Sequence, residues 1–290
     1  MVVGITWYNG DMPILSIQSR VTSGYVGNAA ATPVLQRLGH TVWPIDTVAF
    51  SNHPAHGSYR GGLRPVAEIA ALVDGLDARG LLAGCAAVLS GFLGAAAVGP
   101  VVLDAAARVR AANPKAVWCC DPVMGDNGEF YVDRDIAAFF RDRAVPAADI
   151  VIPNAFEAAF LSGIEIGSVD DAVGAVRNLL TRGPRIAIVT GIRAGNDIAC
   201  VMATAEGVWR VETPAIDAPS QGAGDTFTAL FLGHYLDGGD VAEALSRAVS
   251  GVHAVLAATA RSGADELALI AALDAAIRPP RMFPARLLPG

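Results

Sequence analysis

A glycine-flanked aspartate near the C-terminal end of the chain has the residue types that phosphoryl transfer needs. The tetrapeptide Gly222-Ala223-Gly224-Asp225 comes directly before an apolar, helix-patterned run, residues 226–236. Glycines let the backbone turn sharply beside a ligand, and the free N–H groups of a helix start face whatever anion lies there. Asp225 could accept a proton from a substrate hydroxyl while these amides stabilise charge on the transferred group. A plain glycine turn with an acidic helix start fits the same residues.

The elements that must position this aspartate are predicted to alternate between strands and helices, because short apolar runs alternate with helical patterns. The predicted strands are 13–18, 41–44, 86–90, 116–120, 150–153 and 186–190. The predicted crossover helices are 27–38, 66–79, 101–112, 135–141, 154–161 and 169–181. Strands that are apolar on both faces require helices on both sides. We therefore predict one three-layer αβα domain over residues 1–290, with a central, mostly parallel sheet.

The ends of the chain depart from this rhythm. Segments 198–204 and 208–213 predict an edge hairpin, and 224–236 and 241–260 predict two long closing helices. Residues 1–12 are expected to form an extension before the first strand. Residues 278–290 contain four prolines, so we expect a poorly ordered tail.

Polar residues recur where the predicted parallel strands end, which is where ligands bind in such sheets. These positions are Ser19, Asp121, Asn154 and the pair Thr190-Gly191. Asn154 and Glu157 are three residues apart at a helix start, so they share one face and could reach the same ion or its waters. Mg²⁺ prefers one or two carboxylates plus waters and phosphates, which Asp121 and Glu157 would supply. A turn cap at Asp121 and a favourable first-turn charge at Glu157 are the structural alternatives.

Composition excludes some classes of function. A net charge of −7 argues against nucleic acid as a partner, because phosphate backbones demand clustered lysine and arginine. The four cysteines, at 85, 119, 120 and 200, lack metal-ligand spacing and are typical of buried thiols in a reducing cytoplasm. Segment 80–103 is uncharged and long enough to span a membrane, but its glycines and proline predict a buried strand and loop instead. No secretory signal is evident, so we expect a cytoplasmic protein without membrane contact.

Several motifs resemble those of a known family. Gly-x-Gly-Asp before an apolar helix, late in an α/β chain, resembles the ribokinase-like small-molecule kinases. The order of six further segments narrows this to a resemblance to pyridoxal kinases, from about residue 13 to about residue 260. These segments are Ser16-Ile17-Gln18-Ser19, Gly24-Tyr25-Val26-Gly27-Asn28, Val42-Trp43-Pro44, Phe50-Ser51-Asn52-His53, Cys120-Asp121-Pro122-Val123-Met124-Gly125-Asp126 and Pro153-Asn154-Ala155-Phe156-Glu157.

The resemblance implies an ATP-dependent kinase for the 5′-hydroxymethyl group of pyridoxal, and also of pyridoxine or pyridoxamine. Asp225 would be the catalytic base, with residues 222–224 as the anion hole. Mg²⁺, a monovalent cation such as K⁺ and a homodimer are expected by the same analogy. On the nucleotide side, segment 126–130 resembles a flexible flap, with Asp126 near the phosphates and Tyr131 near the flap's end.

For the acceptor side the resemblance assigns a ring contact to Ser19, apolar walls to Val26 and Phe50, and a place near the vitamin to His53. On residue type alone, a histidine in an apolar neighbourhood is more often an ordinary packed residue than a ligand contact, so this alternative stays open for His53. The family commonly has threonine and tyrosine where this chain has Pro54 and Phe92, which removes two hydroxyls from the expected pocket. Thr190 stands where one bacterial branch has lysine, so contact with ATP is expected to differ.

Three other activities compete with this one. A hydroxymethylpyrimidine kinase would act on a similar ring and hydroxymethyl group. A sugar kinase fits less well, because no run of polar residues follows the first strand. A non-catalytic pyridoxal phosphate carrier is suggested by Pro54 and Phe92, whereas Asp225 and its glycine turn favour turnover.

Overall fold

The computed structural model describes residues 12–238 and 240–289, so the predicted N-terminal extension lies outside the described residues except for Met12. The strands are β1 Ile14–Val21, β2 Val42–Phe50, β3 Gly61–Leu63, β4 Ala87–Ser90, β5 Val117–Cys120, β6 Gly125–Asp126, β7 Glu129–Phe130, β8 Ile150–Val151, β9 Ile186–Ala194, β10 Asp197–Thr204, β11 Gly207–Pro214 and β12 Arg286–Leu287. The helices are α1 Asn28–Arg37, α2 Val66–Ala78, α3 Gly99–Ala112, α4 Arg134–Phe139, α5 Val145–Ala147, α6 Ala155–Ser162, α7 Val169–Leu180, α8 Ala223–Leu236, α9 Val241–Ser262 and α10 Leu273–Ile277.

A ten-stranded sheet forms the middle layer, in the order β12-β11-β10-β9-β8-β5-β4-β1-β2-β3. The run from β9 to β2 is parallel throughout, while β3 and the β10–β12 side are antiparallel. All six predicted parallel strands are present, and β2 and β9 extend further than expected. The predicted fold class is thereby confirmed.

Each face of the sheet has its own hydrophobic core. Helices α2, α3, α6 and α7 pack on one face, and α1, α8, α9 and α10 pack on the other. Alternation along β5 shows how the strands serve both cores, because Cys120 faces the first and Cys119 the second. The four cysteines are all buried, as predicted, and burial raises the pKa of the Cys85 thiol to about 12.

The closing helix α9 is the most membrane-like element among the described residues in length and composition. It is long and apolar enough to cross a membrane, and half of its most apolar stretch is buried inside the domain. The burial follows from its packing against α8 and α10. Segment 80–103, which raised the same question in the sequence, forms a buried strand, a loop and the start of α3.

The C-terminal segment differs from the expected poorly ordered tail. Phe283 is buried, and its N–H and carbonyl are hydrogen-bonded to Ser250 (2.8 Å) and Ser246 (2.6 Å) of α9. Strand β12 then pairs with β11, so the predicted hairpin is covered and does not form the edge of the sheet. The prediction of a poorly ordered tail was based on proline content. Between the prolines, however, the buried side chain of Phe283 and the pairing of β12 with β11 hold the segment on the domain.

The sequence contains one lysine, Lys115. It is exposed and lies just before β5, whose opposite end leads into Asp121. Six extended residues separate the two, a distance of about 20 Å. Lys115 therefore lies near the amino ends of the parallel strands, away from the edge where the polar strand-end residues gather.

Candidate active site

The glycine turn before α8 is held against another backbone segment. Gly222 is the N-cap of α8 and has a left-handed conformation, with φ of 88°. A β-carbon at this position would lie 1.7 Å from the carbonyl oxygen of Tyr25. Only glycine fits there, because a side chain would be excluded both by the backbone conformation and by the contact. The turn thus brings the start of α8 onto segment 24–27.

The carboxylate of Asp225 lies at this junction. The backbone N–H groups of Gly27 and of Asp225 itself lie close enough to this carboxylate to lower its pKa. Burial acts in the opposite direction and is the larger effect, so the pKa of Asp225 rises to about 6. A carboxylate whose pKa lies near neutrality is suited to accept a proton from an alcohol and release it afterwards.

Segment 24–27 connects Asp225 with Ser19. Gly27 has φ of 55°, and a β-carbon on it would lie 2.1 Å from the carbonyl oxygen of Ser19. Ser19 itself is buried at the end of β1. The structure therefore places the predicted base and the predicted ring-binding serine on opposite sides of one glycine. The role of Gly27 could be recognised in the sequence only as part of the Gly-x-x-Gly segment.

Asp121 supplies a second buried carboxylate beside the start of α8. It follows β5 and accepts a hydrogen bond of 3.0 Å from the hydroxyl of Thr228. Burial raises its pKa well above the usual range, and the negative charges of Glu157 and Asp225 raise it further. Sequence reasoning missed Thr228, although its position three residues after Asp225 places both on one face of α8.

Glu157 and Asn154 form a reciprocal cap at the start of α6. The Asn154 side chain accepts from the Glu157 N–H, and Glu157 Oε2 accepts from the Asn154 N–H, each at 2.9 Å. Glu157 Oε1 also accepts from the N–H of Met124 at 2.8 Å, and Asn154 donates to the carbonyl of Gly125 at 2.8 Å. Burial raises the pKa of Glu157 to about 8 against these bonds. The pair predicted to reach an ion thus holds the loop after Asp121 in place.

The donor set fits a magnesium ion of the kind that nucleotides carry. Among the described residues no group of three or more histidine, cysteine, aspartate or glutamate side chains is arranged to hold a metal. Asp121, however, has a buried carboxylate with one oxygen uncommitted and two negative neighbours. A cation carrying its own waters and phosphates needs only one or two protein carboxylates and would relieve this repulsion.

The expected flap is a short hairpin in the structure. Strands β6 and β7 pair across Asn127-Gly128, which has φ of 50° and 87°, the type of turn that this dipeptide favours. The Phe130 ring packs 4.8 Å from that of Phe156 on α6. Asp126 is exposed at the hairpin, and Tyr131, 57% exposed, follows it. The hairpin thus projects beside the carboxylates while its base is anchored on α6.

On the acceptor side the structure gathers the predicted residues at one end of the sheet. Val26 is buried beside Gly222, and Phe50 packs 4.8 Å from the ring of Tyr59. His53 accepts a hydrogen bond from the Ala55 N–H and so caps the short turn that contains Pro54. Burial lowers the pKa of His53, which favours its neutral form.

Phe92 and two residues within β9 take up backbone roles in the structure. The carbonyl of Phe92 accepts a hydrogen bond of 2.7 Å from Thr47 of β2. Thr190 donates its N–H to the Pro153 carbonyl at 3.0 Å, which joins the middle of β9 to the segment before α6. Gly191 follows, exposed and with φ of 72°. Thr190 and Gly191 therefore lie next to the Asn154 cap, as the convergence of strand ends predicts.

Comparison with known proteins identifies the family to which this chain belongs. The profile of the family described as Phosphomethylpyrimidine kinase matches residues 78–269. A relative in Rubrobacter xylanophilus, Pyridoxal kinase PdxY, is 47% identical over 283 residues, which is 96% of this chain and 98% of the relative. The chain belongs to the pyridoxal kinase family. A further relative, Pyridoxal kinase PdxY of Deinococcus radiodurans, is 44% identical and covers 94% of this chain and 95% of the relative.

Solved structures in the pyridoxal kinase family share the fold. The enzyme from Leishmania donovani in complex with ADP and ginkgotoxin has a TM-score of 0.90 at 29% identity, covering 96% of this chain and 100% of that one. Its complex with ADP and pyridoxine has a TM-score of 0.89 at the same identity and coverage. The pyridoxal kinase from Entamoeba histolytica has a TM-score of 0.90 at 26% identity, covering 96% and 100%.

A buried polar network beneath Ser19 completes the site in this family member. The hydroxyl of Ser16 donates to Asn28 at 2.7 Å, and Gln18 donates to Ser16 at 2.9 Å. Asn28 in turn donates to Asp46 at 2.8 Å. Because buried polar groups that are fully paired fix one arrangement, the network holds β1, α1 and β2 together under the acceptor side. Polar residues within an apolar strand were the only sign of this network in the sequence.

Proposed function

We propose that this protein transfers the γ-phosphoryl group of ATP to the 5′-hydroxymethyl group of pyridoxal. The observation that carries the proposal is the position of Asp225, in the first turn of α8, with its carboxylate beside the backbone N–H of Gly27 and its pKa raised to about 6. One turn therefore supplies both the carboxylate that acts as the base and the backbone amides that form the anion hole. Membership of the pyridoxal kinase family supports this substrate class.

In the proposed reaction the substrate hydroxyl attacks the γ-phosphorus in line while Asp225 accepts its proton. The N–H groups of residues 222–224 would hold the transferring group, since the free amides at a helix start favour negative charge. Ser19, across Gly27 from the base, would bind the pyridine ring and so aim the hydroxymethyl group. Phosphoryl transfer needs little more from a protein than this positioning and charge stabilisation.

We assign the metal side of the site to Asp121, with Glu157 reaching the ion through water because both of its oxygens already accept backbone N–H groups. Mg²⁺ bound there would neutralise charge between the phosphates. Asp126 and Tyr131 on the β6–β7 hairpin, with Asn154, Thr190 and Gly191 behind it, would surround the nucleotide. Closure of the hairpin over ATP would exclude water and limit hydrolysis. A monovalent cation in the nucleotide site stays an expectation from family analogy.

The rival substrate with a specific observation in its favour is hydroxymethylpyrimidine, because the matching family profile carries the name Phosphomethylpyrimidine kinase. The curated relatives favour pyridoxal. Both relatives described above are named pyridoxal kinase, and each matches nearly the whole chain. A carrier of pyridoxal phosphate without turnover would bind the vitamer yet release no ADP.

A coupled ADP-release assay separates these activities. Purified protein with ATP and Mg²⁺ is tested on pyridoxal, pyridoxine, pyridoxamine and hydroxymethylpyrimidine, with Asp225→Asn as the control. We expect the highest kcat/KM on pyridoxal and at least a hundredfold loss in the variant. Preference for the pyrimidine would reassign the substrate, and vitamer binding without ADP release would reassign the protein as a carrier.

We also infer a cytoplasmic homodimer from family analogy. Light scattering coupled to size-exclusion chromatography measures the molar mass directly. A mass near twice 29.8 kDa is expected, and a mass near 29.8 kDa would contradict the dimer.

A further inference from the structure

A cavity beside α9 lies apart from the site described above. It is lined by residues of α9, α10 and the C-terminal segment, is partly open to solvent and has a volume of about 130 Å³. Its lining includes Ser250, His253, Arg261 and Arg281, and none of the residues assigned to the kinase site. The volume is several times the roughly 30 Å³ share of one water molecule in the liquid, so a small polyatomic ligand fits.

The charge of the cavity is uniformly positive. Two arginines and a histidine line it, and no aspartate or glutamate does. Neither Arg261 nor Arg281 forms an ion pair with any of the residues that the structure describes. Both side chains are exposed, and other arginines of the chain also lack ion pairs. The feature specific to this cavity is that two arginines line it together without a carboxylate, in a chain of net charge −7.

The C-terminal segment contacts three of these groups, those of Ser250, His253 and Arg281. Phe283 is buried and hydrogen-bonded to Ser250 and Ser246, which holds the preceding residues against α9. The guanidinium group of Arg281 lies 4.5 Å from the centre of the Phe283 ring, and the ring of His253 lies 4.7 Å from it. Ser250 accepts the Phe283 N–H, so its own hydroxyl proton is available to a ligand oxygen.

We propose that this cavity binds a phosphate group, either inorganic phosphate or the phosphate of a small monoester. Guanidinium groups match tetrahedral oxyanions in charge and donor geometry, and the histidine and serine add neutral donors. Because the whole protein is acidic, anions are repelled at long range and bind only where cations are concentrated locally. The ligand would link α9 and α10 to the C-terminal segment and stabilise their packing.

The test is a titration of the melting temperature with inorganic phosphate, at constant ionic strength maintained with sodium chloride. Saturating Mg²⁺ and a non-hydrolysable ATP analogue are present, so that the glycine turn before α8 is occupied. We expect a saturable rise for the wild type and a loss of at least tenfold in apparent affinity for Arg261→Ala/Arg281→Ala. Arg278→Ala is the matched control, because it removes an exposed arginine from the same segment but not from the cavity lining.

Two further measurements decide the outcome. Glycerol phosphate replaces inorganic phosphate in a parallel titration, and tighter binding of the monoester would identify a metabolite as the source. Crystals soaked in tungstate should show an anomalous peak between Arg261 and Arg281, and this holds even if the double variant is unstable. A wild-type response no larger than that to chloride, an unchanged response in the double variant, or a peak confined to the glycine turn would overturn the proposal.

Discussion

The backbone N–H of Gly27 lies beside the carboxylate of Asp225 and lowers its pKa, although the two residues are far apart in the sequence. This N–H stabilises the negative charge without placing a positive charge beside it. A neighbouring cation would lower the pKa of Asp225 and weaken it as a base, whereas burial leaves that pKa near 6. The site thus combines stabilisation of this charge with a basicity suited to neutral pH.

Asp225→Asn should reduce kcat by about 10²–10⁴-fold, because the amide cannot accept the proton. For the wild type, log(kcat/KM) should fall with a slope of one below about pH 6, where Asp225 becomes protonated. Steady-state ADP release between acidic and basic pH measures both effects. Asp237→Asn, at the opposite end of α8, is the matched control and should keep wild-type activity. Equal activity of wild type and Asp225→Asn would refute the assigned base.

Gly222→Ala should unfold the turn or move it, since its β-carbon would meet the Tyr25 carbonyl at 1.7 Å in a left-handed backbone. We expect a loss of roughly 1–3 kcal/mol in unfolding free energy from the backbone conformation alone, with a large loss of kcat. Gly224→Ala is the control, because its β-carbon meets nothing within 4 Å and the amide is retained. Urea unfolding measures the unfolding free energy of the two variants, and ADP release measures their kcat. If the two variants behaved alike, the close contact with segment 24–27 would be wrong.

The carboxylates beside α8 should make unfolding free energy fall as pH rises. The fold raises the pKa of Glu157 from its usual 4.5 to about 8 and that of Asp121 well above 3.8, so charging them at higher pH favours the unfolded state. Between pH 5 and pH 8 we expect a loss of at least about 1.4 kcal/mol, the equivalent of one pKa unit. Urea unfolding across this range, without nucleotide or divalent ions, measures the slope.

The same experiment tests the metal assignment. Mg²⁺ with ADP should stabilise the protein more at pH 8 than at pH 6, because the ion binds the charged carboxylates. Asp121→Asn should reduce both the pH slope and the Mg²⁺ effect, while Asp265→Asn, an exposed position, should change neither. A Mg²⁺ effect that survives in Asp121→Asn would remove Asp121 from the site.

Pro54→Thr should restore a hydroxyl that the family resemblance places near the pyridine ring. One additional hydrogen bond of about 1 kcal/mol would lower KM for pyridoxal roughly five- to tenfold. Pro54→Ala is the control, because it relieves the proline constraint on the turn without adding the hydroxyl. A similar KM in both variants would show that Pro54 does not face the vitamer.

Much of this site could be predicted from the sequence because its residues follow strand ends. Apolar runs located β1, β5 and β9, and the rule that parallel strands present their carboxyl ends at one edge then grouped Ser19, Asp121 and Thr190. The long helices α8 and α9 were also predicted within two residues at each end. These elements are encoded by local periodicity, which a single sequence displays directly.

The missed contacts join segments distant in the chain. Three features depend on tertiary packing that no local pattern reveals: the approach of the Gly27 N–H to Asp225, the hydrogen bond from Thr228 to Asp121 and the burial of Phe283. Glu157 illustrates the same limit, since its spacing from Asn154 correctly predicted a shared face but not that backbone N–H groups would occupy its oxygens. The Asn127-Gly128 turn lies within segment 126–130, which the resemblance assigned to a flexible flap and which the structure shows to be a hairpin.

The position of Lys115 has a chemical consequence for a protein that handles aldehydes. Pyridoxal and its phosphate condense with primary amines to form imines, and the sole lysine side chain of this sequence lies about 20 Å from Asp121 along β5. No lysine is therefore available at the strand-end site to capture the aldehyde covalently. Arginine, which carries nearly all the positive charge of the chain, does not form such imines, so release of the product would depend on non-covalent contacts alone.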